Sequence, residues 1–436
     1  MAGRRTVLLG AAGLLAGCST LDDLIANRPP PLPGTRVPVL PPPAAFVPDA
    51  GLAGRPVTLP SPAAVADWPQ IGGSARHAPG HVALEGELRE LWRVGLSGAG
   101  LFGGGGRITA GPVVAGGVVF AVDGTGTVHA HTLDRGGRLW SFDTRPEEEP
   151  TGALGGGCAF EGGSLYIATG MGEVLALDAA SGAPRWRVRI GAPTRGAPAV
   201  AGGRVFVVTL ESRLVALAAE DGRRLWVHRA SPATAVPLGV APPAVEADIV
   251  VAGFPSGELA ALRAAEGRLL WTETVAGGGR GGIADIGGVR AAPAIYDGVV
   301  HVAGLAGLTI AVDLRSGRRL WEREAASGST PAVAGDWAFL IAEPARVLCV
   351  DRQAGRLRWV ADVGEGGRPA IRAAPLLAGG RLILPGADSR ALLLDPADGS
   401  VVGALRLPGA VLQPPAVAAG RLVVLSEDGT LAAYAG

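Results

Sequence analysis

Gly172-Glu-Val-Leu-Ala-Leu-Asp178, followed by Gly182-Ala-Pro-Arg-Trp186, is the stretch whose reading decides the fold. A short apolar strand ends at an aspartate, a glycine follows, and a tryptophan follows the glycine. The glycine permits the positive φ of a tight hairpin, so the tryptophan begins a second strand running back along the first. The same order recurs in Leu308-Thr-Ile-Ala-Val-Asp313 with Gly317-Arg-Arg-Leu-Trp321. Tryptophan holds the equivalent place at Trp140, Trp186, Trp226, Trp271, Trp321 and Trp359, at intervals of 38 to 50 residues. Self-similarity at such a period is the signature of stacked or radial repeats, in which each unit buries its apolar face against its neighbours.

Each unit reads as four short strands. The third, for example Leu214-Val-Ala-Leu217, alternates large and small side chains, as closely stacked sheets require. A seventh copy runs from Ala391-Leu-Leu-Leu to Asp395 and Gly399, with Gly403 in the tryptophan slot. The C-terminus supplies most of an eighth, Leu422-Val-Val-Leu425, Asp428-Gly429-Thr430 and Leu431 to Tyr434, and stops before any tryptophan. The missing strand is found at the other end as Leu91-Trp92-Arg93-Val94. Pairing the first strand with the last closes a ring and removes its open ends. The expected fold is therefore all-β, an eight-bladed β-propeller of four-stranded antiparallel blades. The recurring tryptophans, Trp92 included, are expected to be structural, each burying on the order of 200 Å² between blades. Trp68 and Trp337 fall outside this register.

The N-terminus reads as an address. Arg4 and Arg5 precede an apolar stretch over residues 6–17, too short for a bilayer core that needs about 20 residues. It ends in Leu15-Ala16-Gly17-Cys18, which resembles the lipobox of bacterial lipoproteins and implies cleavage before Cys18 and acylation there. Ser19 resembles the outer-membrane sorting choice, and Arg4-Arg5-Thr6-Val7-Leu8 has a weaker likeness to a twin-arginine signal. Several acyl chains, at about 0.8 kcal/mol per buried methylene, make a lasting anchor. Residues 18–66 are proline-rich, with Pro29-Pro30-Pro31 and Pro41-Pro42-Pro43, and read as an extended tether. The expected organisation is a signal over 1–17, the tether over 18–66 and the propeller over 67–436.

Composition narrows the chemistry. The 436 residues carry 39 basic and 39 acidic side chains, a balance that argues against nucleic acid as partner. Every basic residue is Arg, and Asn27 is the one asparagine. Without Lys there is no Gly-x-x-x-x-Gly-Lys phosphate loop, and no Gly-x-Ser-x-Gly elbow occurs. Gly103-Gly-Gly-Gly106 and Gly277-Gly-Gly-Arg-Gly-Gly282 lack a strand-then-helix context and read as loops. Of the three cysteines, Cys158 and Cys349 read as small buried apolar residues in separate repeats. His129 and His131, two apart on a strand, share a face and are placed to bind one metal. Yet they occupy the slots of Leu175 and Leu177 in the next copy, and no third ligand is visible, so pore-facing or partly buried neutral rings are expected.

The Asp-x-x-x-Gly-x-x-x-Trp pattern resembles the quinoprotein-type propeller repeat, shared by PQQ-dependent dehydrogenases and by the BamB lipoproteins of the outer-membrane β-barrel assembly machinery. The lipobox, the mature size and the eight copies together resemble the BamB family. So do Trp68-Pro-Gln-Ile-Gly-Gly73 with His77, Ile283-Ala-Asp-Ile286, and Leu320-Trp321-Glu322-Arg323. The likeness implies a non-enzymatic scaffold without cofactor. Its implied partners are the POTRA domains of a BamA-like protein, other assembly subunits, unfolded outer-membrane chains and, through the lipid, the membrane. The family's docking motif, Leu-x-Leu-Arg before an Ala-Pro strand, matches Ala192-Pro-Thr-Arg195, where only Arg195 is kept. A second contact, an acidic pair before Ala292-Pro293, falls on Gly288 and Arg290, with Asp285 the nearest acid. Carried over by position from the likeness, Arg195, Asp285 and Arg290 are the expected partner-binding residues, although the chain departs from the family's pattern at both contacts, with a solvated surface arginine as the plain alternative for Arg195.

A PQQ-dependent dehydrogenase is the rival reading. It needs a divalent cation held by carboxylate and Asn oxygens, which polarises the quinone. The propeller offers no Asn, no vicinal cysteine pair and no Lys for the cofactor's carboxylates. An envelope-binding propeller unrelated to barrel assembly is the third class.

Overall fold

The computed structural model describes residues 46–96, 107–146, 155–233, 239–275, 288–305, 307–364 and 371–436. They form eight antiparallel sheets of four strands each. In seven of them consecutive strands run from the axis outward, as in blade two: Gly156–Glu161, Ser164–Thr169, Glu173–Asp178 and Pro184–Arg189. The eighth takes Ala416–Ala418, Arg421–Leu425 and Thr430–Ala435 from the C-terminus and its outermost strand, Arg89–Gly95, from the N-terminus. Arg93 lies opposite Ala432 and Val94 opposite Leu431, so the two ends of the chain are hydrogen-bonded into one blade. The innermost strand of this blade also packs on that of blade one, Val113–Ala115, which closes the ring. The expected eight-bladed closure is the observed one.

Burial follows strand position. The third strands are buried nearly throughout, as in Leu214, Val215, Ala216 and Leu217, except Arg390–Leu394 of blade seven, where only Ala391 and Leu394 are fully buried. The outermost strands alternate, because only one of their faces meets a neighbouring blade. In every blade the pairing of third and outermost strands slips by one residue just before the tryptophan position, as between Ala176 and Leu177 opposite Trp186 and Pro184. Such a bulge bends the strand and re-aims the following side chain.

The indole therefore reaches the next blade. Trp92, Trp140, Trp186, Trp226, Trp271, Trp321 and Trp359 each donate Nε1–H to a carbonyl there, respectively Leu133, Ala179, Ala219, Ala264, Leu314, Arg352 and Pro396, at 2.8 to 3.2 Å. Each ring lies on the turn glycine of that blade. At Gly317 (φ +73°) an added Cβ would sit 2.5 Å from Trp271, so the glycine is needed for contact as well as conformation.

The joint from blade seven to blade eight differs. Gly403 faces Leu393, where the other blades set tryptophan opposite Ala or Cys. The turn glycine on which the other indoles lie has no counterpart among the described residues of blade eight, whose third strand runs to Ala435. Gly436 and Glu85-Gly86 meet at that place instead.

The residues before the first blade strand are part of the body. Residues 46–66, the last part of the stretch read as a tether, lie against it. Asp49 donates its amide to Leu357, Leu52 is buried, and Val57 and Leu59 pack on blade six. Arg55 pairs with Asp351 and Asp336 and covers the ring of Trp337, a fully buried residue of blade six. Spaced apolar side chains thus outweigh proline content here. The part of that stretch before residue 46, and the signal before it, lie outside the described residues.

Residues 65–82 then line the inside of the ring. Trp68 exchanges two backbone bonds with Val114 of blade one, and Pro69 accepts from Phe160 of blade two. The Gln70 amide bonds both backbone groups of Val200 in blade three. Ala75 and Arg76 accept from Val245 and Ile295 in blades four and five. Val82 donates to Leu377 of blade seven, and Val65 accepts from Ala419 at blade eight. Innermost strands would otherwise present bare backbone to the axis, at a cost for every unpaired buried group. Trp68, out of register with the repeat, belongs to this plug.

Candidate docking site

The plug gives the axis a floor at Ile71. Above it lies a cavity of about 300 Å³ walled by the residues that lead into the innermost strands. The lining has a pattern at the third residue before each strand-leading proline. Arg195 precedes Pro198, Gly239 precedes Pro242, Arg290 precedes Pro293, Gly328 precedes Pro331 and Arg372 precedes Pro375. Arginine and glycine thus alternate over blades three to seven. The glycines make room: a Cβ at Gly239 would stand 3.8 Å from Arg290 Nε and 3.5 Å from the Arg195 carbonyl, and one at Gly328 would stand 3.7 Å from Arg290 Nη1.

The arginines differ in what they already hold. Arg372, almost wholly buried, is clamped by both oxygens of Asp388 at 2.7 and 2.9 Å. Arg107 lies 3.8 Å from Glu427. Among the described residues, neither Arg195 nor Arg290 has an ion-pair or hydrogen-bond partner. Arg290 is exposed at the mouth, with part of its side chain against the cavity wall. Desolvation lowers its pKa from the ordinary guanidinium value, as does Arg107, against the pull of Glu427 and Glu343. Desolvation likewise raises the carboxyl of Glu427, opposed by Arg107 and Arg290. A half-buried Arg195 and an exposed Arg290 on a rigid ring are a pre-formed place for an anion.

Sequence reasoning singled out Arg195 and Arg290 for separate reasons, and the structure sets both on the wall of one cavity, with Gly239 between the Arg195 carbonyl and the Arg290 side chain. It missed Arg107, Arg372 and Glu427, although for Arg372 the Arg-x-x-Pro spacing was there to be read. Asp285 and Cys18 lie outside the described residues. His129 and His131 do not converge on a common ligand. His129 Nε2 meets Asp123 at 2.9 Å, His131 Nδ1 meets the Gly136 carbonyl at 2.9 Å, and the rings are 6.3 Å apart. Burial pushes the Asp123 carboxyl up, but bonds from His129, Thr125 and Thr127 hold it below its usual value. Cys158 and Cys349 are free and buried, and burial pushes the Cys158 thiol up to about 12.

The fold is shared with solved quinoproteins. Quinohemoprotein alcohol dehydrogenase from Comamonas testosteroni matches at a TM-score of 0.68 with 17% identity, over 85% of this chain and 80% of that one. A calcium–quinone pair does not fit the residues here. No group of three His, Cys, Asp or Glu side chains among the described residues is placed to hold a metal, and the two described cysteines sit in separate blades.

BamB from Moraxella catarrhalis matches at a TM-score of 0.70 with 21% identity, over 80% of this chain and all of that one. In sequence, outer membrane protein assembly factor BamB of Bordetella pertussis is 26% identical over 360 residues, 82% of this chain and 88% of that protein. Its namesake from Yersinia pestis is 26% identical over 331 residues, 74% and 83% of the two chains. The family described as outer membrane protein assembly factor BamB matches residues 124–361 and 354–436. With the blades those residues build, this places the chain in the BamB family of PQQ-repeat β-propellers.

Proposed function

We propose that the protein is a non-enzymatic scaffold of outer-membrane β-barrel assembly, held by a lipid on Cys18 at the periplasmic face and docked to the POTRA domains of a BamA-like protein through the axial mouth. The observation that carries the docking is that Arg195 and Arg290, neither of which has a partner among the described residues, line one cavity at the axis. A carboxylate on the partner completes both with charge-assisted bonds. The closed ring and its plug keep the wall from rearranging, so little ordering entropy opposes the contact. The names of the relatives support barrel assembly, and among the described residues no donor set fits a metal–quinone pair, which favours a scaffold over a dehydrogenase.

Binding of the lipidated chain in nanodiscs to purified POTRA domains tests this reading. Arg195→Ala and Arg290→Ala are each expected to weaken binding about tenfold, with the charge reversals weaker still and the wild-type affinity falling as salt rises. Unchanged affinity in both alanine variants removes the mouth from the interface. Cys18→Ser is expected to shift the protein from the membrane to the soluble periplasmic fraction.

A further inference from the structure

The axial cavity is blind. Residues leading into the innermost strands of seven of the eight blades wall it, and Ile71 of the plug closes it at one end. A chain cannot thread such a hole, so whatever enters either ends there or is a single side chain. Adjoining it is a smaller space of about 40 Å³ between the plug and blades five to eight. Ile71, Ala292, Thr330, Ala374 and Pro414 line both, so the two are neighbours across these side chains. Around the smaller space only Trp68, His77 and Thr330 carry a polar side-chain atom, and His77 already bonds the Pro293 carbonyl through Nδ1. The mouth is thus cationic on its wall and apolar at its floor.

The wall holds a surplus of one positive charge. Arg107 is offset by Glu427 and Arg372 by Asp388. Arg195 and Arg290 remain, opposed by Glu343, which acts on Arg290 through space. That surplus suits a monoanion; a phosphate or a dicarboxylate would bring in charge with no counterpart, at a desolvation cost. Beside the arginines stands Ile371, 67% exposed and, after Val47, the most exposed large apolar side chain among the described residues.

We infer that the axial mouth is a receptor for the C-terminal residue of another polypeptide, an apolar residue with its α-carboxylate free. Arg195 and Arg290 take the carboxylate with charge-assisted bonds. The last side chain rests on Ile71 and Pro414, and the chain leaves past Ile371, which covers the side chain before it. Only a chain end sets a carboxylate and an apolar side chain on one carbon. An internal Asp or Glu lacks that neighbour and brings two chain directions into the opening, and an amino terminus meets the arginines as a like charge. Capture of a terminal carboxylate is a recurring mode of peptide recognition, elsewhere by backbone N–H groups. The chain's own end is not the occupant, since Gly436 lies against Glu85 and Gly86. The inference goes beyond POTRA docking but shares Arg195 and Arg290 with it, so each ligand excludes the other.

The probe is the peptide Gly-Ser-Gly-Ser-Leu-Phe, labelled at its N-terminus and titrated against the full lipidated chain in nanodiscs by fluorescence anisotropy. Wild type is expected to bind the free acid at least about tenfold more tightly than the C-terminal amide, and more tightly than an acid ending in serine. An amide with aspartate in place of the leucine is expected to bind no better than the plain amide. Arg195→Gln and Arg290→Gln, both at positions open to solvent, are each expected to lose about tenfold for the free acid, and the double variant to bind acid and amide alike. Arg224→Gln, on the outer strand of blade three, keeps full affinity. Equal binding of acid and amide by wild type, an aspartate-bearing amide that matches the free acid, indifference to the last side chain, or an equal loss in Arg224→Gln overturns the inference. POTRA domains that fail to bind while the free acid binds strike the scaffold reading and leave this site standing; POTRA binding without free-acid binding does the reverse.

Discussion

His77 shows how one residue of the plug writes a pH dependence into the whole body. Its φ of +53° lets the chain turn inside the ring, and its ring is buried with Nδ1 3.1 Å from the Pro293 carbonyl of blade five. Burial pushes its pKa down to about 4, only partly offset by that carbonyl. His301, packed on Trp321, is pushed down to about 4 by burial and by Arg352. Both are neutral in the folded protein and take up protons on unfolding once the pH falls below the ordinary histidine value near 6.5. Stability is therefore full above that pH and is lost progressively between about 6.5 and 4, by on the order of 3 kcal/mol for each ring. His77→Asn tolerates the left-handed backbone and keeps a donor for Pro293. Urea midpoints are expected to fall less steeply from pH 7 to pH 4.5 in this variant than in wild type, and parallel slopes would show that His77 does not carry the effect.

At the scale of elements, Gln70 tests what the plug does for the blades. Its amide nitrogen donates to the Val200 carbonyl at 2.7 Å and its oxygen accepts from the Val200 amide at 3.0 Å, so one side chain stands in for a missing strand. Gln70→Leu has similar volume and leaves both backbone groups buried and unpaired, at an expected cost of about 2–5 kcal/mol in urea denaturation. A loss within 0.5 kcal/mol or so of zero would mean that the axis is wet and water takes over both bonds. The blades were legible because each repeats the same local instruction: a strand, a turn glycine, a tryptophan. The plug was not. Residues 65–82 have no periodicity of their own, and the groups they satisfy lie in seven different blades, so nothing local marks Gln70, Ala75 or Arg76 as strand partners. The same holds for residues 46–66, where proline content suggested a tether and the docking of Leu52, Val57 and Leu59 on distant strands decides otherwise. At the mouth, Arg195 and Arg290 were reached through resemblance, and their shared distance from a strand-leading proline becomes meaningful only once the ring sets those prolines around one axis.

For the whole molecule, the ring has to be joined somewhere, and the joint is weakest where it lacks an indole. Removing a buried aromatic side chain costs about 3–5 kcal/mol in an ordinary core; Gly403 represents that loss, reduced by Leu393 filling part of the space. The inner half of the seam is held by Val82, which bonds Leu377 and bridges toward Ala63, and by Leu84 against Gly379. Its outer half has Val401–Arg406 facing Arg89–Gly95 across an open cleft. Opening is therefore expected to start at the outer strands of blades seven and eight while the ring stays closed at the axis, a sub-global event of low free energy. Native-state hydrogen exchange measures it: amides of Leu405 and Val94 are expected to open at least about 2 kcal/mol more easily than the third-strand amides of Leu175 and Val215, and more easily than their outer-strand counterparts beside Trp186 and Trp271. Equal protection at all the outermost strands would show that the contacts of Val82 and Leu84 alone set the strength of the joint and that the indoles add nothing to it.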